Sequence, residues 1–271
     1  MQVRGPAALG QALRLTAEIK LEMGAIKSAK HDLEMSFKLQ KRIKESVIAV
    51  YYIGSRLGQA DVLWSWGEAC LTMGDFDLAK QLINSSMVIY EDLSSRIGQG
   101  MSLVLLAYIG SAEGDIVYAF KCINEAIVIF RQYDLPGRLA DSLLLRAEIS
   151  VSASNLARAR EDLEEAQSIV EKDHDLLMMG QVYKQQGEAC MLLGSTADAF
   201  EKFRKVTDIG VRTGNFYLIG EGERLSGEAK MTIVNLGEME PRYSEARQHL
   251  RTAMAAHEEI NYKMGLGNTH R

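Results

Sequence analysis

The 271-residue chain predicts an all-α fold, an α-solenoid of repeated helical hairpins, and three observations predict it. Gly67-Glu68-Ala69-Cys70-Leu71-Thr72-Met73-Gly74 and Gly187-Glu188-Ala189-Cys190-Met191-Leu192-Leu193-Gly194 agree at five of eight positions and start 120 residues apart. Steps of 40 from Gly67 land on Ala107, Ala147, Gly187 and Gly227, while Ala79, Ala119, Ala159 and Ala199 form a second comb of the same period. Repetition at such a period is the mark of an array in which each unit buries its apolar face on the next. Only three prolines interrupt a chain dominated by Ala, Leu, Glu, Lys, Met and Arg, a composition that favours helix.

Bulk properties exclude several classes. With 47% hydrophobic and 25% charged residues, the chain has core material and is neither disordered nor membrane-embedded. Its longest uncharged run, Ile97 to Ala112, is 16 residues, short of the roughly 20 that span a bilayer. No basic and apolar leader opens it. The net charge of −5 argues against a nucleic-acid surface. Cys70, Cys122 and Cys190 are too few and scattered for a disulfide framework or zinc site; they read as small buried residues in a reducing, cytoplasmic setting.

Taken in order, about six units follow, at approximately 7–55, 60–95, 97–134, 137–173, 176–213 and 216–261, in a single domain of 1–271. In the first, Ala17 and Ala29 lie fifty residues ahead of Gly67 and Ala79, so the spacing is ten residues too long. The surplus, Ile43 to Ser55, extends the second helix or forms an extra short one. Unit two sets Leu63, Gly67 and Cys70 against Ala79, Ile83 and Ser86. Units three and four keep strict period, with Pro136-Gly137 between them as a turn. Unit six carries an insertion of seven residues around Leu236 to Glu240, then resumes at Pro241, suited to a first helical turn, and reaches Ala246. Gly24, Gly74-Asp75, Gly114-Asp115, Ser154-Asn155 and Gly194-Ser195 each close one helix and begin the next. The stretch Tyr262 to Asn268 reads as the lead-in to a further first helix, which implies an excerpt of a longer protein or a fraying end.

The three spacings, seen in Gly67, Gly74 and Ala79, in Ala107, Gly114 and Ala119, and in Gly187, Gly194 and Ala199, resemble the tetratricopeptide repeat family over residues 7–261. The period is longer than the common form and looks like the forty-residue versions of LGN-type adaptors, kinesin light chains and MalT-type regulators. The resemblance implies a right-handed superhelix whose first helices line a concave face, and a non-catalytic scaffold or adaptor for a peptide or partner protein. An alternative from the same resemblance is the sensor arm of a larger STAND-type (MalT-like or NACHT-like) signalling NTPase, with an effector or the chain's own flanking domains as partner.

On that face, the residue after each small one is Glu18, Glu68, Tyr108, Glu148, Glu188 or Glu228, an acidic ladder. Three before it come Arg14, Trp64, Val104, Leu144, Lys184 and Arg224, so Arg14 with Glu18, Lys184 with Glu188 and Arg224 with Glu228 can pair within their helices. The expected partner-binding set is Asp61, Trp64, Glu68, Tyr108, Asp141, Leu144, Glu148, Lys184, Glu188, Arg224 and Glu228, suited to a segment carrying Lys or Arg, with Trp64 and Tyr108 as anchors. The competing reading takes glutamate as a helix former beside a small residue and Trp64 as core. Chemistry of other kinds finds no motif. There is no phosphate loop, Gly220-Glu221-Gly222 being a fragment in helical register. His31, His174, His249, His257 and His270 lack ligands at metal spacing, and no nucleophile has a base at a recognisable distance. No cofactor, metal, nucleic acid or membrane insertion is expected.

Overall fold

A computed structural model of the chain describes residues 31, 32, 35, 49–235 and 241–259. Most of the first unit, with Arg14, Ala17, Glu18, Gly24 and Ala29, lies outside the described residues, as do the insertion at 236–240 and the final stretch. Ten helices and no strand occur among the described residues: α1 (Ala49–Thr72), α2 (Phe76–Asp92), α3 (Arg96–Glu113), α4 (Ile116–Gln132), α5 (Pro136–Ser152), α6 (Leu156–Asp173), α7 (Leu176–Leu192), α8 (Thr196–Thr213), α9 (Phe216–Asn235) and α10 (Pro241–Glu259). They pair as hairpins α1/α2, α3/α4, α5/α6, α7/α8 and α9/α10. The first two hairpins belong to one compact unit, Met1–Asp134, and the last three to another, Leu135–Arg271.

Each hairpin closes through the two combs. Ala79, Ala107, Ala119, Ala159 and Ala199 are fully buried, and Ala147 nearly so. A methyl placed on Gly67 would come within 2.6 Å of Ile83 Cγ1, and one on Gly227 within 3.1 Å of Leu250. Gly187 lies flat against the Phe203 ring with no room for any side chain. Two helices approach this closely only where one gives up volume and the other fills it.

The turns follow from the same repeat. Gly74, Gly114 and Gly194 have φ of 77°, 82° and 78°, and Ser154 holds the corresponding place at 58°. Asp75, Asp115 and Asn155 then accept a hydrogen bond from the backbone N–H of Leu78, Tyr118 and Arg158, the expected use of a capping side chain. Ser195 makes no such bond. Between hairpins, His174 adopts φ of 55° and Asp175 caps α7 through Met178 N at 3.0 Å.

Two local expectations change. Residues 49–55 extend the following first helix, so that α1 reaches 24 residues, instead of lengthening the helix before or forming a separate one. Pro136 and Gly137 open α5, because proline lacks only the N–H that a first turn leaves unused. Ser86 turns toward α3, its hydroxyl 3.2 Å from that of Ser102.

One register position varies in chemistry. The residue just before the small one on the first helix and the residue sixteen further on form this position. In α3/α4 these are the buried Leu106 and Cys122. In α5/α6 they are Arg146 and Asp162, 9% and 3% exposed and joined through Nε at 2.9 Å and Nη2 at 2.6 Å. In α7/α8, Lys202 Nζ donates to Gln186 Oε1 at 2.6 Å.

Two stability measurements check this packing. Ala159→Leu should lower the free energy of urea unfolding by about 1–3 kcal/mol through overpacking, while Val117→Ala, at a residue 82% exposed, should leave it unchanged. Asp162→Ala should cost about 3–5 kcal/mol by removing the carboxylate that holds Arg146 through two nitrogens, and Arg146→Met with Asp162→Leu should recover most of that loss.

Candidate functional site

The candidate site grows from the first helices, which sit side by side within each compact unit. In the first unit, Asp61 accepts a hydrogen bond from Tyr90 Oη at 2.8 Å, which ties α1 to α2. Trp64 is 9% exposed. It is a core residue, which corrects its reading as an exposed anchor. Glu68 is half-buried and Tyr108 is 45% exposed, so the aromatic surface here is Tyr108 alone of the two.

The second unit brings α5, α7 and α9 together. Leu144 is 6% exposed and fills space between helices, which removes it from the contact surface. Glu148 and Glu228 are exposed and Glu188 is half-buried. Burial lifts the Glu188 carboxyl above its usual range, Lys184 opposes the lift, and the charge on Glu148 adds to it. Two rungs of the ladder therefore feel one another.

The cations are arranged differently from the expected pairs. Arg224 does bond Glu228 within α9, but it also donates to Glu221 Oε2 at 2.8 Å. The ion pair that Lys184 forms is with Glu221, Nζ to Oε2 at 3.7 Å, across the helix interface instead of along α7 to Glu188. Burial works against the Lys184 ammonium, yet Tyr217, Glu188 and Glu221 outweigh it and hold its pKa above the usual lysine value. Arg224 is likewise raised by Glu221 and Glu228 against the effect of burial. Glu221, 4% exposed, is thus the hub of the cluster.

Sequence reasoning passed over Glu221 as part of a glycine fragment. The forty-residue register would have found it, since it stands eighty residues after Asp141, in the place that Asp61 also fills. Asp141 faces water on one side, yet the protein packed on the other pushes its carboxyl from 3.8 up to about 6, with Arg138 opposing the rise and Asp175 adding to it. The other missed group is Glu223, whose Oε2 lies 2.6 Å from His249 Nδ1, giving that histidine a carboxylate partner from another helix.

The resulting surface on α5, α7 and α9 presents carboxylates from Asp141, Glu148, Glu188 and Glu228, with Lys184 held by Glu221 and Arg224 shared between Glu221 and Glu228. Such a surface can hold cationic or hydrogen-bond-donating groups. Among the described residues, no three His, Cys, Asp or Glu side chains converge as a metal site, and no helix is long and apolar enough to cross a membrane.

No family model matches the chain, and no curated protein matches it in sequence. Solved structures share its fold. A Rap protein complexed with competence and sporulation factor superposes with a TM-score of 0.70 at 14% identity, over 99% of this chain and 80% of that one. BtubC (BKLC) from P. vanneervenii gives 0.66 at 14% identity, over 88% and 93%. A signal transduction ATPase with numerous domains (STAND) and a tetratricopeptide repeat sensor, from Pyrococcus horikoshii, gives 0.61 at 13% identity, over 96% of this chain and 41% of that one. The fold is that of the tetratricopeptide-like helical repeat proteins.

The raised Asp141 carboxyl fixes the sign of a pH effect. A group whose folded pKa lies above its unfolded value stabilises the fold fully below the unfolded value and loses that contribution as pH rises through the folded one. Between pH 4 and 7 the wild type should therefore lose stability that Asp141→Asn keeps. Thermal melts should show the variant more stable at pH 7, with the gap closing toward pH 4.

Proposed function

We propose that the chain is a non-catalytic interaction scaffold that holds a segment of a partner protein, or a peptide, against its first helices. The observation that carries this reading is the acidic register itself: Glu148, Glu188 and Glu228 recur one residue after the small residue on three successive first helices. Two of them are exposed, and Glu148 is close enough to Glu188 to affect its charge. The Lys184–Glu221–Arg224 cluster supports the same reading, because it draws both cations toward Glu221 and Glu228 and leaves Glu148 as the exposed carboxylate outside it. A segment rich in Lys or Arg complements that surface.

In the first unit, Asp61, Glu68 and Tyr108 form a separate patch of similar character, with Tyr108 as its aromatic contact. The forty-residue spacing favours the long-period subclass of the LGN, kinesin light chain and MalT type. Complex formation by a Rap protein with competence and sporulation factor shows that one protein of this fold takes a partner, and supports extending the same kind of role to this chain.

A second reading, the sensor arm of a STAND-type NTPase, is favoured by the likeness to the Pyrococcus protein, of whose length this chain spans 41%. There the same surface would receive an effector or the chain's own flanking domains.

An array of extended peptides tests the scaffold reading. Lys- and Arg-rich sequences should be retained and Glu-rich ones rejected. Glu148→Lys with Glu228→Lys, both at exposed positions, should lower retention of the basic set by about tenfold or more, as expected when like charges are opposed. Equal retention of acidic and basic peptides would discard the proposal.

A further inference from the structure

On the side of α9 turned away from Glu221 and Glu228, a cavity of about 320 Å³ opens between α8, α9 and α10. Its walls are rich in hydrogen-bond acceptors. Glu223, with a side chain 15% exposed, holds the His249 ring through Nδ1 at 2.6 Å. Among the described residues the second oxygen of Glu223 has no hydrogen-bond partner. Glu245 and Gln248 complete the polar lining, and Phe200 supplies an aromatic wall against which the His249 ring stands edge-on, centroids 5.8 Å apart.

A cation of the chain's own already sits in this setting. Lys230 Nζ lies 4.3 Å from the centre of the Phe200 ring and 3.0 Å from Glu245 Oε2. Lysines also stand over an aromatic ring between α7 and α8, Lys202 and Lys205 lying 5.3 and 4.8 Å from the centre of Tyr183. Of the described residues that line the cavity, Glu223 and Glu245 bring carboxylates, Lys230 an ammonium and Phe200 a π face, and Glu245 makes a further contact of its own.

We propose that the cavity receives an arginine side chain of a partner, in the place that Lys230 occupies in the free chain. A guanidinium has the required form: it is flat enough to lie on Phe200 and carries several donors for the carboxylates that line the cavity. An acidic side chain would meet the same carboxylates unfavourably. This is a second recognition point, independent of the acidic surface on α5, α7 and α9.

The probe is N-acetyl-arginine N-methylamide, titrated while the imidazole resonances of His249 are followed by NMR, with His249→Asn to assign them. Lys230→Met removes the resident competitor and should bind the probe about tenfold tighter than the wild type; Lys230→Gln should show the same direction. Adding Glu223→Gln should abolish the gain, and N-acetyl-glutamate N-methylamide should leave the resonances unmoved. Circular dichroism confirms that each variant is folded. The proposal is overturned if Lys230→Met and Lys230→Gln both bind no tighter than the wild type, or if the two probes act alike. Glu148→Lys with Glu228→Lys should retain the arginine response whatever it does to peptide capture. Loss of that response in the folded double variant would also overturn the cavity as an independent site.

Discussion

Helices can lie close together only where side-chain volume is surrendered, and in this chain the surrender is made at one fixed place per hairpin. Gly187 yields to Phe203, Gly67 to Ile83 and Gly227 to Leu250, while the alanines of the second comb are sealed from water. Everything else is positioned by that crossing. Once the small residues meet, the residue after each is carried to the outer edge of the first helix. The residue three before it is carried into the seam between neighbouring first helices. The first becomes the acidic ladder, and the second explains the fates of Trp64, Leu144, Lys184 and Arg224.

That seam accepts apolar bulk readily, so Trp64 and Leu144 are buried there. Lys184 and Arg224 enter it with charged tips and must find carboxylates, since an unpaired charge in such a place is costly. Glu221 meets the need for both. The same logic governs the interior position one residue before the crossing, where Arg146 and Asp162 satisfy one another in one hairpin and Leu106 and Cys122 avoid the problem in another. The repeat fixes the geometry and leaves the chemistry of each position to the individual hairpin.

The fold was legible because its constraint is local and periodic: small residues at fixed spacing, followed by a turn residue and a cap, leave a pattern that composition alone would not. The site was legible only in part. Glu148 and Glu228, singled out by their place beside the comb, are exposed. Trp64 misled because an aromatic residue beside a groove and one within a seam look alike in one dimension. Glu221 escaped notice between two glycines, although its register matched Asp61 and Asp141. His249 has Glu245 four residues earlier on its own helix, yet the carboxylate it bonds is Glu223, 26 residues earlier, on the helix packed against it.

Within each compact unit, helices touch the next in sequence or the next but one. A chain wired this way suits vectorial synthesis. A hairpin can collapse as soon as its own two helices have left the ribosome, without waiting for distant sequence. Each completed pair then offers a template for the one still being translated, and the apolar surface left uncovered at any moment is limited to about one hairpin's worth.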